Sequence, residues 1–241
     1  MNIWVIAVLS LLATSILAQE ITVWAEKFPP YGYEDETGKI VGISTEIVQY
    51  IIKDTGLKAG NWEIAPWNRA FKMTQRIPNS VLYTVVRKPN REDMFHWIGP
   101  ISDRNQYIYK LRSRKDIVVN SIDDAKKYNL GAVMGTAITD LLITEGLKPR
   151  EVYNHDETVK LLLHGRLDLI VHLDYSLAYI AKGLGVEFST FEPVLLVDGS
   201  KKYYIVINKN SSPSIIEKFQ ASFKKLVHSG GLSEIQQKYL Q

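Results

Sequence analysis

Apolar and polar residues alternate along Glu20 to Glu26 (EITVWAE), a period of two that predicts a strand. After the turn-rich stretch FPPYGYEDETGK the period changes. Ile47, Val48, Ile51 and Ile52 in STEIVQYIIKDTG recur at helical spacing, with Ser44 or Thr45 as the expected cap and Gly56 as the stop. The exchange of periods then repeats. A strand around Trp62 to Ala65 leads to a short helix, PWNRAFKMTQRI, opening on Pro66, and SVLYTVV is a strand by its β-branched and aromatic content. NQYIYKLRS is extended. A second series follows it: the helix SIDDAKKY with a Ser121/Asp124 capping pattern, the strand LGAVMG, a helix after Thr136 ending at Gly146, the helix ETVKLLLHG, the strand RLDLIVHL and the helix DYSLAYIAKG. KKYYIVINK is extended again, Pro213 opens the helix SIIEKFQASFKKLVHSGG, and LSEIQQKYL closes the pattern. Two βα series joined by two extended crossings predict an α/β chain of two lobes with a cleft between them. Ligands of open α/β sheets bind at the carboxyl ends of strands, so that cleft is the expected site. Residues 19–109 and 204–241 are expected to form lobe 1 and residues 110–203 lobe 2, with hinge crossings near Tyr107 to Arg112 and Ser200 to Tyr204.

The N-terminus narrows the location. Ile3 to Ala18 is apolar and uncharged, and residues 1–18 read as a secretory signal peptide, with an uncleaved membrane anchor as the alternative. There is no cysteine in the 241 residues, hence no disulfide framework, lipid-attachment thiol or thiolate metal site, which fits an exported protein of a bacterial periplasm. The formal charge of +3 is spread along the chain without a polybasic tract, which argues against nucleic acid as a partner. Signals for catalysis are sparse. VGISTE lacks the second glycine of a nucleophile elbow, GLGVEF lacks the third glycine of a dinucleotide loop, and the five histidines show no metal-binding spacing. No catalytic residue, metal or cofactor is assigned.

Four segments carry a resemblance to the family 3 extracellular solute-binding proteins, which serve polar amino-acid ABC transporters. FPPYGYEDETGKIVGISTEIVQYIIKDTGLK resembles the family's opening loop and first helix. In RKPNREDMFHWIGPI, Arg91, Trp97 and Pro100 keep the family spacing of an Arg six residues before an aromatic and nine before a Pro. GAVMGTAITDLL resembles the strand, Gly-Thr and helix of the second lobe, and HGRLDLIVHLD with HSGGLSEIQQKYL resembles the Gly-Arg-X-Asp strand entry and the C-terminal helix. The resemblance implies a type II periplasmic-binding-protein fold, a hinge-bending monomer, and delivery of a small ligand to a membrane permease.

It also implies site residues. The Arg matching Arg91 holds the ligand's α-carboxylate in the family, and a guanidinium fork suits that anion bidentately. Gly135 and Thr136 offer backbone N–H groups at a helix start as a second clamp. Tyr31 and Trp67 are candidate apolar walls, and Thr84 is the matching hydroxyl seven residues before the Arg. The departures matter as much. Lys88 and Val86 stand three and five residues before Arg91, where the pattern carries hydroxyls. Leu173 stands eight residues after Gly165, where the family's ammonium-binding acid is expected, with Asp174 one residue late. Extra positive charge and a displaced acid favour a small anionic or zwitterionic ligand over a basic amino acid. Two alternatives use the same scaffold: a cyclohexadienyl dehydratase-like enzyme, with Glu46, His172 or Asp174 as acid or base, and a ligand sensor acting on a membrane partner.

Overall fold

A computed structural model describes residues 20–240, so the signal-peptide expectation lies outside the described residues. The chain builds β1 (Glu20–Ala25), the short pair β2 (Tyr33–Glu34) and β3 (Ile40–Val41), α1 (Ile43–Thr55), β4 (Lys58–Ile64), α2 (Trp67–Arg76), β5 (Ser80–Val86), a 3-10 turn (Pro89–Met94) and β6 (Phe95–Asp103). It crosses over to β7 (Gln106–Leu111), α3 (Ile122–Ala125), β8 (Leu130–Val133), α4 (Ala137–Thr144), β9 (Arg150–Val152), α5 (His155–Leu163), β10 (Leu169–Leu173), α6 (Asp174–Gly183) and β11 (Phe191–Asp198). It then returns as β12 (Lys202–Asn208), α7 (Pro213–His228) and α8 (Gly231–Gln237).

The pairing sorts these strands into two five-stranded sheets, β4-β1-β5-β12-β6 and β11-β7-β10-β8-β9. The chain changes sheets at Arg104 and Asn105 and again between Gly199 and Lys201. The first change comes before the expected Tyr107–Arg112, and Gln106 to Tyr109 belong to the second sheet, where Ile108 pairs with Val171 and Leu195. The residue pattern does not mark this point, because an extended chain keeps its period of two when it exchanges one sheet for another.

Each lobe has its own core. In the first, Ile21 and Val23 of β1 and Ile47 and Ile51 of α1 pack with Ile215 and Phe219 of α7, all essentially without solvent contact. Burial of such side chains contributes roughly 1.5–3 kcal/mol each. In the second, helices cover both faces of the sheet, so β10, LIVHL, is buried along its whole length and reads as a continuous apolar run rather than an alternating one.

One local difference from the sequence expectation bears on the site. α1 is not capped by Ser44 or Thr45; its N-cap is Gly42, with no side-chain cap bond. The backbone carbonyls of Pro30 and Tyr31 accept from the N–H groups of Ile43 (2.9 Å) and Ser44 (2.9 Å) and do the work of a cap. Gly42 sits at φ 125°, and a Cβ there would lie 2.6 Å from both carbonyl oxygens, so glycine is required for this approach. Thr45 is thereby drawn inside, where its Oγ1 pairs with the Tyr83 hydroxyl at 2.8 Å.

Candidate functional site

The carboxyl ends of β1, β5, β8 and β10 are followed by the segments that meet between the lobes, and two cavities lie there. The inner one, about 180 Å³, is lined by Phe28 of the first lobe, Thr136 and Ile138 at the start of α4, His172 and Leu173 of β10, and Arg104 from the crossing. The outer one, about 350 Å³, shares Arg104 and adds Val86, Lys88, Leu141, Asp198 and Lys201. A larger concavity, about 450 Å³, lies between α6 and the end of α8, walled by Tyr33, Tyr179 and Leu184. It lacks the converging strand ends of the cleft, and the cleft cavities are the better site on that ground.

The charges in the cleft are unevenly spent. Arg104 donates to Gln106 (3.1 Å) and stands 3.7 Å from Asp198. Asp198 is otherwise engaged. Burial works against its charge, but hydrogen bonds from Lys201 and Ser200 outweigh that and hold the carboxyl at about 2. Lys88 is exposed on the rim and has no ion pair among the described residues. His172 is buried; desolvation first, and the neighbouring His155 second, lower its pKa to about 3, so it is neutral.

The structure brings together some of the residues expected from the sequence and separates others. Thr136 lines the inner cavity and caps α4: its Oγ1 donates to the Val133 carbonyl (3.0 Å) and accepts the Thr139 N–H (3.4 Å). Gly135 makes the turn before it at φ 69°. The N–H groups of Ala137 and Ile138 fall in the first turn of α4, where no intrahelical acceptor exists. Lys88 lines the outer cavity. Arg91 lies over the rings of Trp67 (5.2 Å) and Phe71 (5.1 Å) and donates to the Val86 carbonyl (3.3 Å), outside the lining of both cavities. Burial lowers its pKa from a value so far above neutrality that it stays cationic. Thr84, at φ 62°, spends its hydroxyl on Ser44 (2.9 Å).

Trp67, Tyr31 and Asp174 depart from expectation as well, and Trp67, under Arg91, lies outside both linings. Tyr31 is fully buried in the first core, stacked on Phe28 at 5.1 Å and edge-on to Tyr203, so Phe28 is the aromatic that meets the cavity. The chain needs Tyr31 inside because its carbonyl helps to cap α1. Asp174 opens α6, accepts the Tyr175 N–H (2.9 Å) and lies outside the cavity linings, while Leu173 lines the inner cavity in its place. Of the remaining acid and base candidates, Glu46 is taken by Lys238 (2.8 Å) and Tyr239. No group of three metal-ligating side chains exists among the described residues. Phe28 and Arg104 escaped sequence reasoning. Phe28 had a signal in the adjacent Pro29-Pro30, whereas Arg104 had none until the crossing was located.

The sequence model of the bacterial extracellular solute-binding proteins, family 3, matches residues 21–241. No curated protein matches the chain. Among solved structures, a polar amino acid ABC uptake transporter substrate-binding protein from Streptococcus thermophilus superposes with a TM-score of 0.76 at 17% identity, over 91% of this chain and 85% of that one. The second substrate-binding domain of Lactococcus lactis GlnP, in an open conformation, gives 0.75 at 22% identity over 92% and 95%. The unliganded, open L-cystine solute receptor of Neisseria gonorrhoeae gives 0.75 at 18% identity over 92% of each chain. At such identities these likenesses establish the fold: mixed α/β, two-lobed, of the periplasmic-binding-protein type. With the two sheets, the two crossings and a family match spanning the described residues almost from end to end, the chain belongs to the bacterial extracellular solute-binding proteins of family 3.

Proposed function

We propose that the protein captures a small carboxylate or amino-acid-like solute in the periplasm, closes its lobes over it by bending at the two crossings, and delivers it to an ABC-transporter permease. The observation that carries this reading is the pair of cleft cavities, where Arg104, Lys88 and the first turn of α4 converge and the one lining aspartate of the outer cavity is already engaged. An anion entering there meets donors from both lobes. That is the requirement for closure, because a ligand shifts a hinge equilibrium only by its differential affinity for the two states. Arg91, held over Trp67 at the edge of the first lobe, is the second cation of this clamp and swings in when the lobes approach. Binding and transport are favoured over catalysis because Glu46 is spent elsewhere and Asp174 is turned to the start of α6.

A thermal-shift screen against amino acids, dicarboxylates, keto acids and aromatic carboxylates tests the reading. A ligand that binds only the folded state raises the Tm by mass action, by the equivalent of about 2.7 kcal/mol at a hundredfold excess over Kd. One carboxylate class is expected to stabilise the protein, and Arg91→Ala to remove most of the shift. Stabilisation by no compound, or conversion of one into product, would contradict it.

A further inference from the structure

We infer that the cleft selects a small hydroxylated carboxylic acid that lacks an ammonium group, with Arg104 holding the acid and the unprotonated Nδ1 of His172 accepting the hydroxyl. This deepens the solute-binding reading and rests on it.

An amine is disfavoured because the cavity walls offer it no free acid. Leu173, not a carboxylate, lines the inner cavity at the end of β10, and Asp174, whose Oδ1 accepts the Tyr175 N–H, lies outside both linings. Asp198, on the wall of the outer cavity, has its Oδ1 occupied by the N–H and hydroxyl of Ser200 (3.1 and 2.7 Å) and its Oδ2 by Lys201 (2.8 Å). An ammonium brought into this space would leave water for a site that offers the cations Arg104 and Lys88 and no unengaged counter-charge, which is unfavourable. A carboxylate is favoured by the same inventory.

The preference for a hydroxyl comes from a chain of hydrogen bonds. Thr158 has one hydroxyl proton, and its Oγ1 donates at 2.6 Å to the His155 carbonyl. The same oxygen lies 3.1 Å from His172 Nε2 and is left to accept, so Nε2 carries the imidazole proton. Because the ring is neutral, Nδ1 is a bare lone pair. His172 is 1% exposed, lines the inner cavity, and its Nδ1 has no partner within the described residues. A buried acceptor left unmatched is costly, and a ligand that supplies an O–H removes that cost. A methylene at the same place does not. At about 180 Å³ the inner cavity lies below the usual range of roughly 300–1,000 Å³ for drug-sized ligands, which limits this part of the ligand to a few heavy atoms.

Two sets of probes that differ in a single substituent test this by titration calorimetry: malate, succinate and aspartate, then lactate, propionate and alanine. In the set that binds, the hydroxy acid is expected to bind about tenfold more tightly than the unsubstituted acid and more tightly still than the amino acid. Arg104→Ala should abolish binding of all three. His172→Phe should leave the unsubstituted acid's affinity within about twofold while removing the hydroxyl preference. Nitrogen NMR of the unaltered protein gives a readout that does not depend on that variant folding: Nδ1 of His172 should appear as the unprotonated ring nitrogen and shift when the hydroxy acid is added but not the unsubstituted one. An amino acid binding best, with Arg104→Ala leaving that binding intact, would overturn the inference and leave the solute-binding reading standing. No binding by any acid of either set would overturn both.

Discussion

At the scale of single residues, the site is governed by which polar atoms the fold has already used. Thr84, Asp198 and Glu46 have partners, so they support structure; Arg104, beyond its contacts with Gln106 and Asp198, and His172, beyond its contact with Thr158, keep capacity on the cavity wall for the proposed ligand. Asp174 is a different case. Burial raises its carboxyl pKa against the opposing hydrogen bond from the Tyr175 N–H. A carboxyl whose folded pKa exceeds its unfolded value contributes stability that is complete below the unfolded pKa and is lost as pH rises through the folded one. Asp174→Asn keeps the acceptor for Tyr175 and removes the cost of burying the charge. The variant should therefore melt higher than the parent at neutral pH, and the gain should disappear below about pH 3.9, the unfolded aspartate value, in a pH series of thermal melts. A gain that persisted in acid would rule out this linkage. Part of the residue-level placement was legible beforehand: Thr136 as a cap at the cleft, Lys88 on the wall and Leu173 in place of an acid are positions where a type and a spacing coincide, whereas Arg91, Trp67 and Thr84 fall outside both linings. The direction of Tyr31 was not. Whether an aromatic after Pro29-Pro30 faces the core or the cleft depends on which carbonyls the next helix requires.

At the scale of elements, α1 shows how a site loop is fixed without side-chain chemistry. Helix starts usually recruit Ser, Thr, Asp or Asn, and the sequence offers Ser44 and Thr45 for that role. The loop after β1 instead folds back so that its own carbonyls accept from the first N–H groups of α1, and this places Phe28 at the cavity. The arrangement hangs on Gly42. Gly42→Ala should destabilise the protein by about 3 kcal/mol, from a Cβ forced against two backbone oxygens at a φ that side chains rarely adopt. Urea denaturation measures it, and a loss below about 1 kcal/mol would mean that the loop relaxes. Ser121 shows the ordinary device working as its spacing predicts, for its Oγ accepts the Asp124 N–H at 3.2 Å. The difference between the two starts is non-local: Ser121 needs only its own helix, whereas Gly42 needs residues of the preceding loop.

At the scale of the whole molecule, two lobes with separate cores are linked by short crossings, and aromatic pairs bridge the lobes on the side of α6: Tyr31 with Tyr175 at 6.1 Å and Tyr33 with Tyr179 at 5.3 Å. Periodicity exposed the two βα series because each strand and helix carries its own pattern. It did not expose the crossing at Arg104, because a strand's period is blind to the sheet that it joins, and Arg104 was missed for that reason. Solute capture, as proposed, depends on donors from the crossing and both lobes meeting one anion. The most direct test is small-angle X-ray scattering through a titration with the acid found to bind. The radius of gyration should fall in step with occupancy and reach a plateau at one ligand per chain, and Arg104→Ala should show no fall at the same concentrations. Saturable binding with an unchanged radius would contradict the proposal, since the ligand would then sit on one lobe alone.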